Sequence, residues 1–447
     1  MSLGARIGKG ILVNGFGQAV TILGQLIILP TLLIHWGAEQ YGAWIILSVI
    51  PQYLALSDMG FSSVAGNEIA MALGRKDLMK AKNAFRGALV ANIVACIAVI
   101  FLTCLLIILQ SQFQILPIHG FREDSSVIIL LIFGIQVCLT FFQNCSVASF
   151  RGGGQYPYGA FLNNVQRLTE IMATVSSALL GGSPIVVALS VLIVRIIFVI
   201  GMFRQLAVRF EWARFVLSKD GLLVARRLIR PCLGYMALPA SVAVSQSGSV
   251  MLIGYMFGPL QVIVFTAMRT LARLLVQLST AINSPIVPEI SSAYASENMP
   301  LVRKLHAAAM RAALFIGMLV GASMIWLAPF IFDHWTKGKV VFDINLFIPL
   351  LIAVILNMLW GTSAIVLLAV NLHTRFTLWA LIFSIFGLAA CYVIAKISGS
   401  LSMAAYGLAW QELIMLIIVL RSSLKLISQN RIEFLSSIFL VKMVNIS

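Results

Sequence analysis

The strongest constraint on this chain is the recurrence, from end to end, of apolar stretches about 20 residues long separated by short polar breaks. The stretch 87–110, for example, carries no charged side chain. A helix rises about 1.5 Å per residue, so some 20 residues cross the roughly 30 Å hydrocarbon core of a bilayer. Lipid offers no partners to backbone N–H and C=O groups, which leaves the helix as the form such stretches take. Spans are expected near 11–34, 43–66, 87–110, 126–148, 160–181 and 184–206, then near 235–257, 261–284, 309–332, 347–370, 377–397 and 404–424. Composition agrees, with 60% hydrophobic and only 10% charged residues, against about a quarter charged in soluble domains. The expectation is an all-α integral membrane protein of about twelve transmembrane helices.

The net charge of +16 would suggest nucleic acid on a soluble chain. Here the charges lie in alternate connections. Arg6 and Lys9, the set Arg75, Lys76, Lys80, Lys82 and Arg86, the run from Arg204 to Arg230, Arg303, Lys304 and Arg311, and Arg421 to Lys442 all fall on one side. The other side receives Arg122, Lys337, Lys339 and Lys396. Basic residues mark the cytoplasmic face, so both termini are expected inside and no nucleic-acid partner is needed. The basic stretch 207–233 suits either an anionic membrane surface or a plain linker. Six scattered cysteines show no ligand spacing, and the five histidines fall in expected loops or span ends. No cofactor or metal is called for.

Displaced by 221 residues, the sequence matches itself without a gap across the first two spans of each half. Gln25 meets Gln246, Gly37 meets Gly258, Gln40 meets Gln261, Glu68-Ile69 meets Glu289-Ile290, and Lys82 meets Arg303. Two six-helix lobes are expected, residues 1–215 and 216–447, running parallel across the membrane.

Four arginines remain, Arg167, Arg195, Arg269 and Arg273, and all lie within expected spans. With Glu170 they sit about 11–18 Å from the nearer span end, against a midplane near 15 Å. Each central arginine facing lipid would cost about 2.5–3.5 kcal/mol, so they are expected to face protein or water. Helical phase supports this. Thr266, Arg269, Arg273, Gln277 and Thr280 share one face of the eighth span, and Asn163, Arg167, Glu170 and Thr174 one face of the fifth. Asn14, Gln18, Thr21 and Gln25 form an uncharged stripe on the first span, and the repeat places Gln52 where Arg273 stands. The candidate cavity residues are Arg269, Arg273, Arg167, Arg195, Gln277, Asn14, Gln18, Gln25 and Gln52. Glu170, Glu412 and Asp58 are the acids placed for ion pairing or coupling. Arg167 and Glu170, one turn apart, are expected to pair. Arg195 is expected to bond a carbonyl or Glu412, and Asp58 to anchor a helix end.

Three local patterns carry a resemblance. They are Pro30 with the turn Gly37-x-x-Gln40-Tyr41-Gly42-x-Trp44, the segment Tyr53-Leu-x-Leu-x-Asp58-x-Gly60, and the polar loop with Asn67, Gly74 and Asp77 before Ala81. With these the chain resembles the bacterial flippases of lipid-linked oligosaccharides, the O-antigen and exopolysaccharide translocases of the multidrug/oligosaccharidyl-lipid/polysaccharide exporter superfamily. The topology resembles theirs over essentially the whole chain, and the motifs concentrate in the first 90 residues. The resemblance implies a MATE-like, V-shaped pair of six-helix bundles in a bacterial inner membrane. It implies translocation of an undecaprenyl-diphosphate-linked glycan from the cytoplasmic to the periplasmic leaflet, by alternating access through a central cavity. Membrane lipids, and the polymerase and chain-length proteins of a polysaccharide pathway, would be partners. A multidrug or cation antiporter of the same superfamily is the alternative, disfavoured by arginines where that branch relies on acids. A membrane-embedded polymerase or acyltransferase would need a reactive constellation, and neither a nucleophile–base pair nor an ATPase motif is present. Gly152-Gly153-Gly154 lacks the Gly-Lys-Ser/Thr of a phosphate loop and is expected to form a turn.

Overall fold

The computed structural model describes residues 3–58, 60–113, 121, 123–214, 226, 236–237, 239–370, 372 and 374–439. Most of the basic stretch 207–233 and of the loop near 111–125 lies outside the described residues. Among those described, secondary structure is helical throughout. Among the described residues, ten helices are long and apolar enough to cross a membrane. The first candidate, Leu12–Asp58, has 47 residues, about 70 Å at 1.5 Å each, enough for two crossings. Gly37 divides it, with φ 76 and ψ 172, a conformation that a Cβ would strain. Helix Tyr156–Leu179 has 24 residues, about 36 Å at 1.5 Å each, long enough to cross as well. Its stripe of Asn163, Arg167 and Glu170 is what keeps it off a hydropathy count. The chain is a multi-pass membrane protein.

Two compact units make up the fold, one of Met1–Ala243 with Ile253–Ile263, the other of Val244–Leu252 with Val264–Ser447. In the first, α1 (Leu3–Leu54) is followed by a 3-10 turn, Ala55–Asp58, and then α2 (Phe61–Gly74), α3 (Leu78–Phe113), α4 (Glu123–Gly152), α5 (Tyr156–Leu179) and α6 (Pro184–Arg209). The second expected span, 43–66, is therefore interrupted rather than continuous. Gly60, at φ 78, sets the left-handed N-cap from which α2 restarts. The three local patterns work as joints. Gly37 turns the chain, the Pro259 backbone packs where a Gly42 side chain would stand, and Trp44 lies edge-on to Trp36 and Phe133. Asp58 accepts a hydrogen bond from Ser62 Oγ at 3.2 Å, and Asp77 caps α3 through Lys80 N–H at 2.9 Å. The triple glycine makes the tight turn after α4, with Gly154 at φ 76.

The second unit begins at Val244, within a π-helical turn, Ala243–Gly248, that runs into α7 (Ser249–Phe257), whose C-terminal part belongs to the first unit. Then come α8 (Pro259–Ala295), α9 (Met299–Phe315), a second π turn (Ile316–Val320) with α10 (Gly321–Thr336), α11 (Ile344–Ala369), α12 (Thr374–Ser398), α13 (Leu401–Leu426) and α14 (Arg431–Phe439). The ninth span thus starts ten residues before the expected 309. His306, expected at a span end, is buried in α9, 3.2 Å from Ser363 Oγ and stacked on Phe434.

Backbone detail supports the repeat. At the offset of 221, left-handed Gly37 meets left-handed Gly258, and left-handed Lys76 meets left-handed Glu297. Asp77 and Asn298 both cap the following helix. Asp77 N–H to Ala72 O and Asn298 N–H to Ala293 O are equivalent bonds of 2.9 Å. Starts coincide for α3 with α9 and for α4 with α11. From there the register shortens, because α11 has 26 residues and α4 has 30.

Small residues recur at the helix contacts, as is common for helices packed in lipid. On α3 the buried face carries Ala81, Ala84, Ala88, Ala91 and Ala95 around Phe85, Leu89 and Val99, while Val94, Ile97, Phe101 and Ile108 are exposed. Sidedness is testable at two exposed positions, Leu78 and Val341. In a cysteine-free background, Cys at Val341 is expected to react with an impermeant thiol reagent applied to spheroplasts, and Cys at Leu78 only after lysis. Labelling of Leu78 in intact spheroplasts would reverse the orientation.

Candidate functional site

The second unit gathers its buried polar chemistry on α8, α11, α13 and the first π turn. A π turn widens the helix and releases backbone groups from the regular ladder. Here the Gln246 carbonyl accepts from Ser249 Oγ at 2.9 Å and from Arg269 Nη1 at 3.0 Å, while Arg269 Nη1 also donates to Ser249 Oγ at 2.8 Å. The Arg269 guanidinium lies over the Phe265 ring, 4.8 Å from its centroid. One turn on, Arg273 directs Nη1 and Nη2 at the Gln246 side-chain oxygen, at 2.9 and 3.2 Å, with that amide oriented as its hydrogen bonds require. One residue therefore serves both arginines, through its carbonyl and through its side chain. Both arginines are half-buried as residues.

Opposite them stands Glu412 on α13, 9% exposed. Its Oε2 accepts from Trp360 Nε1 at 2.6 Å and Asn357 Nδ2 at 3.0 Å, and its Oε1 from Gln411 Nε2 at 3.3 Å. Ser245, Gln246, Arg269, Arg273, Asn357 and Glu412 line one cavity of about 50 Å³, whose remaining lining is apolar, among it Val276, Leu350 and Leu408. No arginine comes within ion-pair distance of Glu412; the one pair under 4 Å among the described residues is Arg195–Glu170.

That pair is the polar centre of the first unit. Arg195 grips Glu170 with two parallel bonds of 2.8 Å, from Nε and Nη2, and sends Nη1 to Thr140 Oγ at 2.8 Å and the Gln136 carbonyl at 3.3 Å. Gln166 extends the network from Glu170 to Gln143, and Gln143 reaches Asn163. One expectation needs correction. Glu170 pairs with Arg195, not with Arg167, which is exposed on α5. Arg195 bonds a carbonyl, as expected, and the acid it also holds is Glu170; Glu412 belongs to the other unit.

The other candidates scatter. Asn14 is exposed and accepts from Tyr156 OH at 2.9 Å. Gln18 and Gln52 are exposed and Gln25 half-buried, all in the first unit. Gln277 is half-buried one turn beyond Arg273, and Asp58 serves the 3-10 turn. The structure thus joins Arg269, Arg273 and Glu412 in one unit and Arg195 with Glu170 in the other. Gln246, Ser249, Asn357 and Trp360 had not been singled out as site residues. The repeat held a signal for Gln246, which it aligns with Gln25; the π turn that makes Gln246 a hub has no sequence signature.

Helices of this order, with charged residues held at their centres, define a polytopic membrane fold with an intramembrane polar site, and that fold is found in solved structures. An inward-facing multidrug-resistance MATE family transporter of the MOP superfamily matches at TM-score 0.70 with 15% identity, over 94% of this chain and 98% of that one. The lipid II flippase MurJ, in an inward closed conformation, matches at TM-score 0.69 with 13% identity, over 96% and 89%. A MOP superfamily transporter from Pyrococcus furiosus, described as having a binding pocket of reverse polarity that suggests a different function, matches at TM-score 0.63 with 14% identity, over 95% of each chain. At these identities the likeness establishes the MATE-type fold. No protein-family model matches the sequence, and no curated protein sequence does.

Proposed function

We propose that this protein is a flippase, moving an undecaprenyl-diphosphate-linked oligosaccharide from the cytoplasmic to the periplasmic leaflet of a bacterial inner membrane. One observation carries the reading: Arg269 and Arg273, half-buried residues one turn apart, present two guanidiniums held by neutral acceptors rather than by a carboxylate. Such a pair suits the phosphates of a carrier lipid, since guanidinium stays charged when desolvated and bonds phosphate through a planar fork. The cavity of about 50 Å³ has room for one or two waters, so the diphosphate would meet the arginines at its mouth, displacing the Gln246 amide from Arg273. An extruder of organic cations needs the opposite polarity. The fold is shared with a lipid II flippase, and in another transporter of this fold a pocket of reverse polarity suggests a different function. Both likenesses support the reading. Lipids, and the polymerase and chain-length proteins of the pathway, are the proposed partners.

Ligand-induced stabilisation tests the polarity. A short prenyl diphosphate at about 100 times its Kd is expected to add about 2.7 kcal/mol of stability to the purified protein, with the prenyl alcohol much weaker and a lipophilic cation inert. Stabilisation by the cation and none by the diphosphate would replace this reading with the drug-extruder one.

A further inference from the structure

Glu412 poses a problem that the substrate site alone does not explain. It is a nearly buried acid, held from three directions by N–H groups of Trp360, Asn357 and Gln411, none of them charged. Every close neighbour donates, which suits an ionised carboxylate. Neutral donors orient it without cancelling its charge. The cationic groups lining the same cavity are Arg269 and Arg273, and neither is within ion-pair distance. A carboxylate kept solely as glue between helices would be expected to close on a cation, because an uncompensated buried charge is expensive.

The repeat shows what closure looks like. Arg195 is the twelfth residue of α6 and Glu412 the twelfth of α13, each helix beginning after a serine at its N-cap. The same place therefore carries opposite charges in the two halves. In the first unit Arg195 is closed by Glu170, the fifteenth residue of α5. The fifteenth residue of α12 is Leu388, which supplies no charge. One half has a sealed ion pair and the other an open acid facing two arginines.

We propose that Glu412 is a resident counter-anion of the arginine site, a positioning and specificity residue that competes with the phosphate groups of the substrate for Arg273. With Glu412 ionised, the two arginines and one acid of the cavity carry one net positive charge. The empty site is partly neutralised, and a bound diphosphate is held less tightly than by two uncompensated arginines. Weak holding is what a carrier needs, because substrate taken up on one side must leave on the other. The Trp360, Asn357 and Gln411 bonds restrain the carboxylate from collapsing onto Arg273 and shutting the site. This inference rests on the flippase reading and adds to it a residue that tunes release.

Equilibrium binding to the purified protein tests it, with a short prenyl diphosphate and inorganic diphosphate as separate probes. Glu412→Gln keeps the shape and two of the acceptor bonds. It is expected to lower Kd for the diphosphate on the order of tenfold, the size of one charge–charge interaction across a partly screened site. Trp360→Phe removes the shortest restraint and is expected to act in the opposite sense, raising Kd. If E412Q does not fold, the rise with Trp360→Phe decides the matter, and an unchanged or lower Kd there overturns the proposal. Tightening with both probes assigns the effect to the headgroup, and tightening with the prenyl form alone assigns it to the lipid-linked state. Unchanged or weaker binding by folded E412Q makes Glu412 a helix-packing residue and ends the counter-anion idea, leaving the flippase reading intact. A folded wild-type protein that binds neither probe removes the flippase reading and this inference together.

Discussion

Cells carrying Arg269→Gln together with Arg273→Gln are expected to export no glycan, with the protein present at its normal level. A hydrogen bond to a charged group is worth about 1.5–3 kcal/mol, so losing one guanidinium should slow transport roughly 10- to 100-fold, and losing both should take it below detection. Single Ala replacements are expected to be intermediate. Lys should rescue only in part, because it keeps the charge and loses the planar fork. Arg269 deserves a separate control, since its Nη1 also ties the π turn to α8 through Gln246 and Ser249. A purely structural arginine would show itself as reduced protein level or thermal stability with normal transport per folded molecule.

The second large effect is expected at Glu170, and it is one of stability. Its side chain and that of Arg195 are 16% and 19% exposed, so removing one partner strands the other in a low-dielectric interior. Breaking such a pair costs about 3–5 kcal/mol. Glu170→Ala is expected near the lower end, about 3 kcal/mol, because neither group is wholly desolvated. The readout is a large fall in thermal stability and in membrane level. Replacing both by Met and Leu of similar bulk should be far milder, since no charge is then left unpaired. Transport per surviving folded molecule should be near normal. If Glu170→Ala leaves stability unchanged and stops transport, the pair belongs to the transport machinery instead.

Much of the fold is legible in the sequence because lipid imposes a simple rule. A run such as 87–110 has no alternative to a helix, and Gly37 and Gly258 mark the turns because few other residues accept φ near 80°. The repeat is readable from Gly37, Gln40 and Lys82 and reappears in left-handed turns and capping residues that share little chemistry, such as Lys76 with Glu297. What is lost lies where three-dimensional neighbours decide. Sequence spacing favours Arg167 for Glu170, one turn away on the same helix. Packing decides otherwise, because α6 carries half-buried Arg195 against the Glu170 face of α5 while Arg167 lies on an exposed face. His306 lies beside an apolar run, yet α9 starts early at its Asn298 cap and carries the ring into the core. In the site, Arg269 and Arg273 stand out as charges within a span. Asn357 and Trp360 carry no charge to mark them in the sequence, and only the packing of α11 sets them against Glu412.

The most direct measurement of the central claim is leaflet transfer by the purified protein in vesicles, using a fluorescent short-chain prenyl-diphosphate-linked sugar on the inner leaflet. Wild-type protein is expected to bring the label to the outer leaflet far faster than empty vesicles do, with inorganic diphosphate and a lipophilic cation tested as competitors. Diphosphate should inhibit, the cation should not, and the Arg269→Gln/Arg273→Gln protein should behave like empty vesicles. Transfer at the wild-type rate by that double variant would contradict the arginine site, and transport of the cation in place of the lipid-linked sugar would contradict the flippase reading itself.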